Sequence, residues 1–232
     1  MRLKDTGGFI MECHHTYELC VQRVPIFNHL DEETMQLIFN KIMQRSFAKK
    51  EHLYLAGDTI DSLYVVHKGR VRIYKLNENG EEQLIRILSH GDYTGEISLF
   101  NPSLNNTSYA EVLEDAEICI IKREDIYQLM HTYPSISITF IETFAKRLSE
   151  SETQTTNISL LDSRSKLMMY IENYREENML NLSLTKKHIA SYLSMQPETL
   201  NRTFNKLEEE QIIKKINHKT YRILQENLNK LI

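Results

Sequence analysis

The sequence predicts an α+β chain: an antiparallel β-roll, then one long helix, then a C-terminal helix-turn-helix with a hairpin wing. Three observations lead there. Five of the seven glycines fall within 39 residues, Gly57 to Gly95, where they punctuate short runs rich in β-branched residues. No glycine follows Gly95, and beyond Pro134 the chain favours helix. Near the C-terminus, two short amphipathic stretches separated by "SMQ" precede a lysine-rich hairpin pattern.

The elements follow in chain order. "GGF" ahead of Ile10-Met11 can be encoded by a purine-rich ribosome-binding sequence, so Met11 is expected to be the initiator and "MRLKDTGGFI" a leader. Residues 1–23 form a flexible arm that carries "ECHHTYELC", Glu12 to Cys20. The β-rich domain is expected over 24–133, with its strands from about Phe47 to Lys122. In "SLYVVHKGRVRIYKL" polar residues alternate at Arg70, Arg72 and Tyr74, and "EEQLIRIL" supplies a further strand. "NENG", Asn77 to Gly80, reads as the hairpin connection between them.

The long helix is expected over 134–161, with Ile141, Phe144, Ala145 and Leu148 at helical spacing. Its second half, "SESETQTTN", has almost no apolar stripe and is either a solvated face or a weak helix-helix seam. The last domain, 162–232, holds the most patterned segment, Leu184 to Leu224. Thr185 can cap a helix whose apolar positions are Ile189, Ala190 and Leu193. Pro197 suits the first position of a second helix. In that helix Leu200, Thr203, Phe204 and Leu207 should face the core, and Glu198, Asn201, Arg202, Asn205 and Lys206 the opposite side. "IIKKINHKTYRIL" then reads as a β-hairpin wing.

Composition limits the function classes. With 232 residues, 41% hydrophobic and 26% charged, the chain can bury a real core. No apolar run approaches the roughly 20 residues of a membrane helix, and no secretory signal opens the sequence, so a cytoplasmic location with no membrane partner is expected. There is no GxxxxGK phosphate loop, HExxH or GxSxG, and the carboxylates are scattered, which argues against an enzyme. Charge is uneven. Residues 162–232 hold 12 Lys/Arg against 9 Asp/Glu, a net +3, while residues 1–161 hold 16 against 23, a net −7. A basic end on an acidic body points to a polyanion partner.

The outward face of the second helix has the chemistry of major-groove reading. Arg202 can donate to guanine O6 and N7, Glu198 can accept from the cytosine amino group, and Asn201 can reach adenine or a phosphate. Thr199, Asn205 and Lys206 adjoin them, and Lys214, Lys215, Lys219 and Arg222 of the wing can neutralise phosphates. The alternative is an ordinary helical pair with a solvated charged face. Agreement of face, wing and charge asymmetry favours double-stranded DNA.

The roll carrying "GDYTGEISLF", the long helix and the winged helix-turn-helix containing "ETLNR" together resemble the CRP/FNR family of bacterial transcription regulators. The resemblance covers nearly the whole chain from Val24 and lies closest to FNR-like proteins of lactic-acid bacteria. It implies a cyclic-nucleotide-binding-like β-roll, a homodimer along the central helix, a palindromic DNA site and RNA polymerase as a partner. The family's recognition Glu and Arg map onto Glu198 and Arg202; Asn201 stands where FNR-like members have Ser, and Pro197 where cyclic-AMP-dependent members have Arg. A TGA-type half-site core is therefore expected, without the extra guanine contact.

For the effector pocket, Gly95 and Glu96 match the nucleotide binders, but Asn106 followed by Thr107 stands at the place of the Arg that pairs with the cyclic phosphate. The resemblance thus argues against cyclic AMP as the ligand. The cysteines imply another input. Cys119, in "DAEICIIKRED", corresponds to the internal cluster ligand of FNR, and Cys13 and Cys20 loosely to its N-terminal group. An iron-sulfur cluster would need a fourth ligand, His14 or His15, as would a zinc site, whereas a dithiol-disulfide switch needs only two thiols. Taken alone, Cys119 also reads as a buried small hydrophobe, and the histidines as polar residues of a loose end.

Overall fold

The computed structural model describes residues 24–224, which form two compact units meeting in the chain at Lys146 and Arg147. The first unit begins with helix α1 (Glu32–Phe39), capped by Asp31, whose carboxylate accepts the Thr34 N–H at 2.7 Å. Strands β1 (Met43–Phe47), β2 (His52–Tyr54), β3 (Ser62–Leu76), β4 (Glu82–Leu88), β5 (Tyr93–Thr94) and β6 (Tyr109–Lys122) follow, with the short helix α2 (Glu96–Phe100) between the last two. All pairings are antiparallel, in the order β1-β6-β3-β4, with β2 added on β6 and β5 on β3.

Gly69 curls this sheet. It lies in β3 at φ +86°, where the register against β6 shifts repeatedly, and an added Cβ would stand 2.4 Å from the Asp115 carbonyl oxygen. Only glycine fits so close an approach, and the bulge bends the long strand over. Side chains then separate by parity. Val66, Val71, Ile73, Leu88, Ala110, Val112, Ala116 and Ile118 fill the roll interior. Leu63, Val65, Tyr93, Cys119 and Ile121 pack on the other side against helices α1, α3 (Arg123–Thr132) and α4 (Pro134–Leu160), and against Val24, Ile26 and Phe27. The expected alternation is present: Arg72, between interior Val71 and Ile73, donates to Glu82 at 2.7 Å and Glu111 at 2.6 Å.

Helix α4 splits the set expected at helical spacing, Ile141, Phe144, Ala145 and Leu148. Ile136 and Phe140 are buried and Phe144 packs beside them, whereas Ile138, Ile141 and Leu148 are 57%, 67% and 61% exposed. Ala145 is exposed as well. Residues three, four and seven apart cover a broad sector of a helix, so one sequence pattern serves two faces.

The second unit contains α5 (Ser163–Tyr174), β7 (Arg175–Glu176), β8 (Met179–Asn181), α6 (Lys186–Tyr192), α7 (Pro197–Glu209), β9 (Ile213–Lys215) and β10 (Thr220–Ile223). Its four strands pair in the order β7-β8-β10-β9. Leu167, Ile171, Leu180, Ile189, Leu200, Phe204, Leu207 and Tyr221 form one buried core beneath the helices. The expected α+β architecture is thus observed, and the expected wing is the β9–β10 hairpin, with Tyr221 opposite Lys215.

Candidate nucleic-acid interface and sensor residues

Helices α6 and α7 form the helix-turn-helix. Thr185 caps α6 by accepting the His188 N–H at 3.3 Å, and Ser194, at φ +51°, turns the chain so that the Met195 N–H reaches the Ala190 carbonyl at 2.8 Å. Pro197 occupies the first turn of α7. The amphipathic pattern then positions the side chains as spacing predicts. Leu200, Thr203, Phe204 and Leu207 are buried, whereas Glu198, Asn201, Arg202, Asn205 and Lys206 are exposed along the opposite face. Thr199 is half-buried, and its carbonyl accepts the Thr203 hydroxyl at 2.8 Å, which places it at the edge of that face.

Among the described residues, the side chains of Glu198, Asn201, Arg202, Asn205 and Lys206 make no hydrogen bond or ion pair. Neighbouring charges of the same unit are engaged. Arg164 pairs with Glu210 at 2.5 Å and Arg175 with Glu172 at 2.8 Å. Lys186 lies over the Phe204 ring at 4.5 Å and the Tyr221 ring at 5.6 Å, tying α6 to α7 and the wing. Burial lowers the Lys186 pKa, with Glu208 opposing. The wing's Lys214, Lys215, Lys219 and Arg222 are exposed, and the Lys215 N–H donates to Glu208 at 2.9 Å, anchoring the hairpin base on α7. Five polar side chains on one helix face, with cations alongside on the wing, can hydrogen-bond base edges and neutralise phosphates.

The roll is polar where Gly95, Glu96, Asn106 and Thr107 lie. Gly95, at φ +94°, starts α2, and an added Cβ would stand 2.4 Å from the Ser62 carbonyl oxygen. Glu96 is 1% exposed and accepts from Arg86 at 2.9 Å. Asn106 donates to the carbonyls of Leu55 at 2.7 Å and Ser108 at 2.9 Å, and accepts from the Ser108 N–H and hydroxyl at 3.1 and 2.9 Å. That uses both of its amide protons and both lone pairs. Thr107 is exposed. The Tyr54 and Thr94 hydroxyls are 2.6 Å apart, and burial pushes the Tyr54 pKa up. The sequence reading missed Arg86 as the partner of Glu96. Its signal is there, since alternation in "EEQLIRIL" groups Arg86 with Leu84 and Leu88.

Cys119 is 3% exposed, on β6, paired in register with Gln44 of β1 and Val65 of β3. It faces the helical side, away from the roll interior. Cys13, Cys20, His14 and His15, like the expected start at Met11, lie outside the described residues. Among those residues no group of three or more His, Cys, Asp or Glu is placed to hold a metal ion, and no helix is long and apolar enough to cross a membrane.

Residues 44–133 match the cyclic nucleotide-binding domain and residues 160–231 the Crp-like helix-turn-helix domain. The chain is 31% identical over 199 residues to the probable transcriptional regulator flp of Lacticaseibacillus casei, covering 84% of this chain and 90% of that protein. It is 25% identical over 191 residues to the cyclic AMP receptor protein of Thermus thermophilus, covering 82% and 88%. Among solved structures it is similar in fold to the c-di-GMP responsive global regulator CLP of Xanthomonas campestris, with a TM-score of 0.73 and 19% identity over 84% of this chain and all of that one.

Proposed function

Since the chain belongs to the CRP/FNR family of bacterial transcription regulators, we propose that it reads a palindromic DNA site as a cytoplasmic homodimer, under control of the redox state of its cysteines. Family membership makes it a DNA-binding transcription regulator, and its relatives are regulators, not enzymes. The observation that carries sequence-specific reading is the face of α7, whose Glu198, Asn201, Arg202, Asn205 and Lys206 are exposed and unengaged among the described residues. Arg202 reads guanine, Glu198 reads cytosine, and Asn201 contacts the flanking base. The wing lysines hold the backbone.

Dimerisation uses the exposed side of α4, where Ile138, Ile141, Ala145 and Leu148 fall at the three-four spacing of a helix-helix seam. Two recognition helices about one helical turn apart, roughly 34 Å, then address two half-sites of the TGA type. RNA polymerase is the partner of the bound dimer.

For the input, Val24, Ile26 and Phe27 pack in the same core as Cys119. Cys20 precedes Val24 by four residues, at most about 14 Å of chain. We therefore infer a disulfide between Cys119 and either Cys20 or Cys13: two thiols lose two protons and two electrons to an oxidant such as molecular oxygen, and one S–S bond forms. An iron-sulfur cluster on Cys13, Cys20, Cys119 and a histidine is the competing form of the same input.

The other reading is a small effector inside the roll, with inert cysteines, and it has the Gly95–Glu96 pair in its favour. Against it, the Glu96 carboxylate is held by Arg86, and Asn106 has no polar atom left for a phosphate.

Gel-shift titrations test the proposal. Protein purified without air, with iron and thiols counted, is titrated on a palindromic duplex and on random DNA, before and after oxidation and with or without cyclic AMP. Tighter binding to the palindrome that changes with oxidation and not with cyclic AMP is expected. Equal affinity for both duplexes overturns the sequence-specific reading. Insensitivity to oxidation overturns the redox input.

A further inference from the structure

The cysteine core and the dimer helix are joined through a short row of side chains. In the antiparallel register Val65 of β3 lies opposite Cys119 of β6 on one side and Tyr93 of β5 on the other. All three face the helical layer, so Cys119, Val65 and Tyr93 form one cross-strand row. The row ends on α4. The Tyr93 ring meets Phe140 edge-on at 5.8 Å between centroids, and Phe140 meets Phe100 of α2 edge-on at 5.0 Å. Phe144, one turn further along α4, meets Phe100 at 5.8 Å. The next residue after Phe140 is Ile141, 67% exposed on the other side of the same helix.

We propose that Tyr93 and Phe140 are positioning residues that convert a change of packing at Cys119 into a changed presentation of the α4 dimer seam. The proposal rests on the seam assignment made above, and its steric part does not need the redox input. Interiors at crystal-like density do not absorb an added volume locally. Tyr93 is 2% and Phe140 2% exposed, so the row has no slack toward solvent. Successive residues of a helix are about 100° apart, so a small rotation that reseats Phe140 moves Ile138, Ile141 and Ala145 by the same angle. The roll interior is bypassed, because Thr94, the neighbour of Tyr93, faces it through Tyr54 while Tyr93 itself points away.

A double-mutant cycle tests this in reducing buffer, with the monomer-dimer constant read by sedimentation equilibrium and folding by cooperative melting. Cys119→Leu is expected to shift that constant tenfold or more. In a Phe140→Leu background the same substitution is expected to shift it less than threefold. An equal shift in both backgrounds, or none in either, overturns the proposal. Should Phe140→Leu fail to melt cooperatively, Tyr93→Leu takes its place in the cycle.

A second arm oxidises the wild type and Phe140→Leu with diamide, which takes up two protons and two electrons per disulfide and becomes the hydrazine. If both lose the same thiols by mass and only the wild type shifts, the coupling holds for the redox input too. If both shift alike, the coupling is overturned and the redox reading stands. If the wild type loses thiols without shifting, the redox reading fails, and the steric cycle still decides the coupling.

Discussion

At the scale of the residue, protonation and base reading each yield a prediction. His67 lies in β3 where the register against β6 first shifts; its carbonyl accepts from the His90 ring and its own ring lies 3.8 Å from Glu117. Burial lowers the His67 pKa, Glu117 opposes that, and His90 and Lys68 reinforce it. The unfolded chain therefore binds more protons here, and stability is lost as pH falls from the ordinary 6.5 through the lower folded value. Between pH 7 and 5 the melting temperature of His67→Gln should fall less than that of the wild type. An equal or steeper fall would contradict the assigned sign. Arg202→Ala should cost roughly 1 to 3 kcal/mol on the palindrome and relax the preference at the guanine position. A panel of single-base-substituted duplexes measures it, and a uniform loss on specific and random DNA would remove Arg202 from base reading. Not every residue was equally legible. The outward set of α7 follows from spacing alone, because one amphipathic period decides all five positions. The fate of Asn106 does not, because its amide is spent on the carbonyl of Leu55, 51 positions away.

Elements were legible where one periodicity governs them and ambiguous where two surfaces compete. In β6 the alternation runs unbroken and sets the face of Cys119, but in β3 it reverses across the bulge at Gly69, from interior Val66 to interior Val71 and Ile73, which no local pattern reveals. In α4 the same spacing served both core and solvent, and only the contacts of Phe144 with Phe100 and Phe140 separated them. The exposed side of α4 has a further consequence. Ile138, Ile141, Ala145 and Leu148 continue at the same three-four spacing into Glu152 and Thr155, both exposed. If α4 pairs in parallel with its copy as proposed, equivalent positions meet, so Glu152 would face its own copy and two like charges would be brought together. On the proposed homodimer this would make "SESETQTTN" a weakened seam, leaving dimer affinity low enough for a modest input to shift it. Glu152→Leu removes the repulsion and adds apolar burial, on the order of 1 to 3 kcal/mol, or about fivefold to 150-fold in the dimer constant. Sedimentation equilibrium should find the variant dimeric at concentrations where the wild type dissociates. A constant that is unchanged or weaker would place the seam elsewhere on the helix.

For the molecule as a whole, the governing quantity is the division of charge, net −7 over residues 1–161 and net +3 over residues 162–232. An acidic body repels DNA at long range, so association depends on the cations of the second unit and weakens steeply with salt. Within that unit the cations do different work. Lys186 is held over two rings and Arg164 and Arg175 are paired, whereas Lys214, Lys215, Lys219 and Arg222 are exposed on the wing. Lys215 separates electrostatics from structure most cleanly. Its backbone N–H anchors the wing on Glu208 and survives truncation of the side chain, so Lys215→Ala should keep the hairpin in place while deleting the charge. Each phosphate contact removed lowers the slope of log affinity against log salt by about 1, so a dimer with two wings should lose about 2. Affinity at low salt should fall alike for palindromic and random duplexes, and the ratio between them should stay unchanged. A reduced ratio would mean that the wing positions α7 on the bases, and an unchanged slope would mean that Lys215 reaches no phosphate.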